Sequence, residues 1–165
     1  MKKQCMVLLV ENNAGVLARV SSLFMQRGFN IDSLTVSSTE NPRISRITIM
    51  ATGDQKSFSQ IMKQTKKLVE TKMIFAVEPA FSLIQELLLV KISTEGVDID
   101  AFKKIVKDFG ANMVDITSGC LVTELAASSQ VIDDYLDAIS GFKMIEMCRS
   151  GAIAMERGDV VYDLN

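Results

Sequence analysis

The sequence predicts an α+β fold built from two tandem ferredoxin-like βαββαβ domains. Three observations carry that prediction. One order of apolar patterns, strand–helix–strand–strand–helix–strand, occurs twice at a spacing of roughly eighty residues, too long for a solenoid unit. Helical stretches carry apolar residues three and four apart, whereas strand stretches are short, β-compatible apolar runs. The break between the copies is "PAFSL" at 79–83, which places an N-terminal domain at 1–79 and a C-terminal domain with a tail at 83–165.

In the first copy, residues 4–10 form an apolar strand. Residues 15–27 set Val16, Leu17, Val20, Leu23 and Phe24 at helical spacing, and Gly28 stops the helix. "NIDSLTVSS" and "RISRITIMAT" are two strands joined by "TENP", a turn built from Asn41 and Pro42. After Gly53, "DQKSFSQIMKQTKKLV" turns Phe58, Ile61, Met62, Leu68 and Val69 to one helical face, and "KMIFAVEP" is the last strand.

The second copy opens with the strand "ELLLVKIST". The helix "DIDAFKKIVKDFG" follows, with Ile99, Phe102, Ile105, Val106 and Phe109 inward. "NMVDITS" and "CLVTELAA" form a tight pair around Gly119. "SSQVIDDYLDAIS" is a serine-capped helix presenting Ile132, Tyr135, Leu136 and Ile139, and "KMIEMCRS" is the final strand. The tail is "GAIAMERGDVVYDLN".

Composition narrows the function. With no histidine, Ser-His-Asp and Cys-His nucleophilic sites and histidine metal ligands are excluded. A formal net charge of -2 argues against the basic face that nucleic acid requires. The longest apolar runs are too short to span a bilayer, and the N-terminus lacks the pattern of a secretory signal. Cys5, Cys120 and Cys148 are odd in number, show no CxxC and each fall in a strand, so they are expected to be buried free thiols in a reducing cytoplasm. There is no GxGxxG, P-loop or zinc spacing. "TGD" at 52–54 is an ordinary loop, and "KQTKK" at 63–67 a solvated helix face.

The first strand is apolar on both alternating sets, Met6, Leu8 and Val10 on one and Cys5, Val7 and Leu9 on the other. One face meets the helices and the other needs cover. Domains of about 80 residues are also marginal alone. A homo-oligomer, most simply a dimer, is therefore expected.

One stretch stands out for binding. "VENNAGVL" joins the first strand to the first helix, whose leading N–H groups have no internal partners and sit at the positive end of the dipole. A carboxylate fits there without a cationic side chain. Gly15 allows close approach, and Asn12 and Asn13 supply both donors and acceptors, suited to an ammonium as well as a carboxylate. Asn30 repeats the amide chemistry at the start of the second strand. From the residues alone, an ordinary connecting turn remains the alternative.

The phrases "VEN..GVLARV..LF..RGFNI.SLTV", "TE.P..SR.TI" and "RSGAIAMERGD", with the central "LLLVKI", resemble the acetolactate synthase small-subunit family, also called acetohydroxyacid synthase regulatory subunits. The likeness covers nearly the full chain. It implies an ACT domain followed by a second ferredoxin-like domain and no catalytic site in this chain. It implies ACT–ACT homodimerisation and binding to a large catalytic subunit that carries thiamine diphosphate, magnesium and FAD. It also implies activation of that subunit and feedback inhibition by valine or another branched-chain amino acid. The effector residues it implies are Asn12, Gly15, Val16 and Leu17 of one chain with Asn30 and Ile31 of the other, and no cofactor or metal is implied here. The alternative function is a free-standing ACT-type amino-acid sensor acting on another enzyme or regulator.

Overall fold

The computed structural model describes residues 2–160 and 162. The chain forms two compact units. The first holds the chain up to Ile84 and again from Ala152, and the second is Gln85–Gly151.

In the first unit, β1 (Lys2–Glu11), α1 (Val16–Gln26), β2 (Ile31–Ser38), β3 (Ile44–Gly53), α2 (Gln55–Thr65) and β4 (Thr71–Val77) follow the βαββαβ order. The sheet is antiparallel, in the order β2-β3-β1-β4, so β2 is an edge. Met6, Leu8 and Val10 of β1 pack with Ile47 and Ile49 of β3 under Val16, Val20 and Phe24 of α1 and Phe58 and Ile61 of α2. The period of two on the strands and the near-four spacing on α1 place these side chains in one core.

Helix ends differ from the sequence pattern. α2 stops at Thr65, whose hydroxyl bonds back to Ile61 O at 2.9 Å and whose carbonyl takes the Thr71 hydroxyl at 2.9 Å. The chain then turns through Lys67 N–H to Gln64 O and Leu68 N–H to Thr65 O. The helical phase is lost, so Leu68 still reaches the core while Val69, expected inward, is 88% exposed. Leu17, also expected inward, is 40% exposed because it lies one residue, about 100°, off the buried row Val16–Val20–Phe24. "TGD" is not a loop: Gly53 ends β3, and Asp54 caps α2 by accepting from Ser57 N–H at 2.9 Å.

The second unit repeats the order with β5 (Ser82–Ser93), α3 (Ile99–Asp108), β6 (Asn112–Ile116), β7 (Cys120–Ala127), α4 (Ser129–Ala138) and β8 (Met144–Arg149), in the sheet order β6-β7-β5-β8. Leu88, Val90 and Ile92 meet Phe102, Val106, Ile132, Tyr135 and Ile139 in its core. The buried Tyr135 hydroxyl is matched by Thr123 Oγ1 at 2.8 Å. Ile99, expected inward, opens α3 and is exposed.

The thiols divide by environment. Cys5 is buried, and burial pushes its pKa up to about 12, so it stays a protonated hydrophobe. Cys120 is half-buried. Cys148, expected inside, is exposed because β8 is an edge strand.

The tail, grouped by sequence with the second domain, returns to the first unit. It forms an unanticipated strand, β9 (Ile153–Glu156), which pairs with β5, and Ala154 joins Cys5, Val7 and Val77 in a buried cluster. The face of β1 turned away from the helices is thus covered by the chain itself. The need to dimerise does not follow from that face. β2 and β4 remain the edges of the sheet.

Candidate functional site

The β1–α1 turn is organised by short bonds to its neighbours. Asn12 N–H donates to Arg43 O at 2.8 Å, and its side-chain amide donates to Pro42 O at 3.1 Å. Asn13 N–H donates to Glu11 O, and its side-chain amide to Glu11 Oε2 at 3.0 Å. The Glu11 carboxylate also holds Lys72 at 2.5 Å. These contacts fasten the turn to the β2–β3 connection, itself an Asn-Pro turn closed by Ile44 N–H to Asn41 O. The Asn12 NH2 is therefore a tether, and its Oδ1 is the atom suited to an ammonium.

Gly15 is the N-cap of α1 with φ +85°, a left-handed conformation that favours glycine. No side chain caps this helix, and its first turn carries no acidic residue. A Cβ at Gly15 would meet nothing within 4 Å, so the approach to the turn is open. Val16 is buried at 3% and can contribute only its backbone N–H, which in this structure makes a long bond to Asn13 O at 3.4 Å, whereas Leu17 offers a half-exposed aliphatic surface. The helix N-terminus therefore presents amide donors, positive dipole and an apolar flank together.

Asn30 and Ile31 lie elsewhere. Asn30 is exposed just before β2, and Ile31 packs against the first core cluster. Ile31 pairs with Ala51 of β3, while Glu11, at the start of the β1–α1 turn, pairs with Ile44. Ile44 and Ala51 are seven residues apart, about 23 Å along an extended strand. The six predicted residues thus form two groups at opposite ends of one sheet, several lengths of a free amino acid apart.

An open depression of about 460 Å³ adjoins the turn, lined by Glu11, Asn12, Asn13, Lys72 and residues 41–44. It adds Arg43 and Lys72, cations that sequence reasoning did not single out. The signal was the Asn-Pro turn, but only the strand pairing shows that it faces Asn12. Among the described residues no cluster of His, Cys, Asp and Glu could hold a metal, and no helix is long and apolar enough to cross a membrane.

Comparison with known proteins covers both units. Residues 6–72 match the family model described as the AHAS small subunit-like ACT domain, and residues 85–158 match that of the small subunit of acetolactate synthase. The Escherichia coli acetolactate synthase isozyme 3 small subunit is 37% identical over 160 residues, covering 96% of this chain and 98% of that protein. A probable acetolactate synthase small subunit of Methanothermobacter thermautotrophicus is 38% identical over 154 residues, covering 91% and 90%. The crystal structure of the Thermotoga maritima acetolactate synthase small subunit superposes with a TM-score of 0.88 at 30% identity, covering 97% of this chain and all of that one.

Proposed function

This chain belongs to the acetolactate synthase small-subunit family, and from that premise we propose that it is the non-catalytic regulatory partner of the large subunit, activating it and making it sensitive to valine or a related branched-chain amino acid. Thiamine diphosphate, magnesium and FAD belong, in this reading, to the large subunit, and acetolactate formation takes place there.

The carrying observation is the 23 Å separation of the two groups of effector residues. No single small zwitterion reaches both groups within one chain. A two-fold pairing of β2 edges joins them. Ser38, at the far end of β2, is level with Ser45 and Val10, next to the β1–α1 turn. Antiparallel pairing of β2 with a second copy sets the partner's strand start beside that end. Each turn then faces a second chain's Asn30 and Ile31, and the dimer holds two equivalent sites.

In such a site the carboxylate docks on the amides of Gly15 to Leu17, a contact worth about 0.3–1 kcal/mol when exposed and up to about 2 when partly buried. Asn12 Oδ1 and Asn30 take the ammonium. The branched side chain packs on Leu17 and Ile31. Because two chains build the site, occupancy favours one arrangement of the dimer, and a coupling of about 1–3 kcal/mol suffices for regulation.

Reconstitution tests the proposal. Adding this chain to its large subunit should raise acetolactate formation, and titrating valine, leucine and isoleucine should lower it again. An unchanged rate on mixing would remove the regulatory-subunit reading. Activation of a different enzyme would favour the free-standing sensor.

A further inference from the structure

The tail that covers the first unit is fastened to the same strand that carries Ile31. Ala152 N–H donates to Ser33 Oγ at 3.2 Å, and Ala154 O accepts from the Arg46 guanidinium at 2.6 Å. Tyr162 stacks on Phe75 with ring centroids 4.7 Å apart, and Arg46 lies 5.8 Å from the centre of the same ring. Strands β2, β3 and β4 each hold one fastening.

The fastening on β2 depends on an irregularity. Side chains alternate along a strand, so Ser33 would ordinarily point the way Ile31 does, toward the helices. The register of β2 against β3 shifts between Ile31 and Ser33. Ile31 and Leu34 both pack on the helix-side core, whereas Ser33 reaches the tail on the opposite face. A bulge re-aims a side chain in this way. Its two ends are here the proposed effector residue and the tail.

The Arg46 fastening is partly buried. Burial pulls the guanidinium pKa below its ordinary value, with the charge of Glu156 opposing that shift. Its guanidinium meets the Ala154 carbonyl and the Phe75 ring face, and among the described residues Glu156 Oε2 is buried without a hydrogen-bond partner. These contacts add to the pairing of β9 with β5 and the bond from Arg157 N–H to Phe81 O at 2.8 Å, with Ala152 and Ala154 as the small buried anchors of the tail.

Resting on the effector reading above, we propose that the segment from Ala152 to Glu156 is a regulatory strap that senses the β2 bulge. Effector contact with Ile31 sets the bulge, the bulge aims Ser33, and Ser33 holds or frees the strap. The strap is the direct continuation of the second unit, so a change in its docking is delivered there along the chain.

Hydrogen exchange on the wild-type full-length chain with and without saturating valine is the test, run beside valine calorimetry. Valine should slow exchange in the strap several-fold. In the reconstituted complex, Arg46→Leu should activate normally and bind valine with near wild-type affinity, yet reach only a small fraction of the wild-type maximal inhibition at saturating valine. Arg46→Lys, which keeps a cationic donor, should restore much of the response. Valine binding with unchanged strap exchange overturns the strap and leaves the effector site standing. Absence of binding of valine, leucine and isoleucine alike to the wild type overturns both. The exchange measurement needs no variant, so a poorly folded Arg46→Leu chain would not rescue the proposal.

Discussion

Arg149 at the end of β8 grips the carboxylate of Glu86 near the start of β5 through its Nε. The same guanidinium reaches Asp133 Oδ1 at 2.6 Å and Ser129 Oγ at 2.8 Å, so one side chain ties two strands to the N-terminal half of α4. Glu86 is only 7% exposed. Removing its partner leaves a buried carboxylate uncompensated, which costs about 3–5 kcal/mol when both charges are fully buried. Arg149 is a quarter exposed, so Arg149→Leu should cost about 2–3 kcal/mol after allowance for screening. The double variant Glu86→Leu with Arg149→Leu should cost less than Arg149→Leu alone. Denaturant-dependent amide exchange in β8 and α4 measures these and the Glu86→Leu single variant, and a double loss equal to the sum of the two single losses would show that the pair is not coupled.

Gly53 closes β3 against an aromatic wall. A Cβ there would lie 2.7 Å from Phe29 Cε1, and Phe29 itself packs on the core and edge-on to Phe24. Gly53→Ala should therefore destabilise the first unit by about 1–3 kcal/mol, the usual range for overpacking. Gly53→Ala with Phe29→Leu should recover part of the loss. A Gly53→Ala midpoint in urea equal to wild type would mean that the ring swings aside freely.

Much of this fold was legible because its signals are local and periodic. The repeated order of elements, the core row of α1 and the turn that precedes it all follow from spacing within a few residues. What was missed depends on distant partners. β9 is four residues with no periodic pattern, and it becomes a strand by docking on a covered face. The exposure of Cys148 follows from β8 being an edge, and strand order is not written in hydrophobic alternation. At the site, the open turn was readable from Gly15 and the helix that follows. The tether from Asn12 to Pro42 was not, since it joins residues thirty apart through strand pairing. Nor could spacing reveal that Asn30 and Gly15 sit at opposite ends of a sheet.

Gly15 allows charge to be separated from backbone strain. Its φ of +85° disfavours any side chain, but Asn and Asp tolerate left-handed backbone better than other residues. Gly15→Asn and Gly15→Asp carry similar strain and size, and only Asp repels an incoming carboxylate. Gly15→Asp should abolish detectable valine binding, while Gly15→Asn weakens it by no more than about tenfold through the side chain at the approach, the strain of about 1–2 kcal/mol lowering stability of free and bound chains alike. Both should still activate the large subunit. Equal affinities by calorimetry would show that no carboxylate docks at this turn.

Mixing two defective chains tests whether the site is shared. Asn30→Ala should weaken binding by about 1–3 kcal/mol through loss of a hydrogen bond to a charged group. In a dimer of one Gly15→Asp chain with one Asn30→Ala chain, the two sites become unequal. One combines both lesions, and the other combines the wild-type turn of the Asn30→Ala chain with the wild-type Asn30 of its partner. Unfolding the two variants together and refolding them should therefore restore wild-type affinity at one site per mixed dimer, with half the dimers mixed at equal input. Neither parent shows that affinity alone. If Gly15 and Asn30 served one site within a single chain, mixing would restore nothing, because every chain in the mixture carries a lesion. Calorimetric stoichiometry of high-affinity valine sites decides between the two arrangements, and the 23 Å between the groups favours restoration.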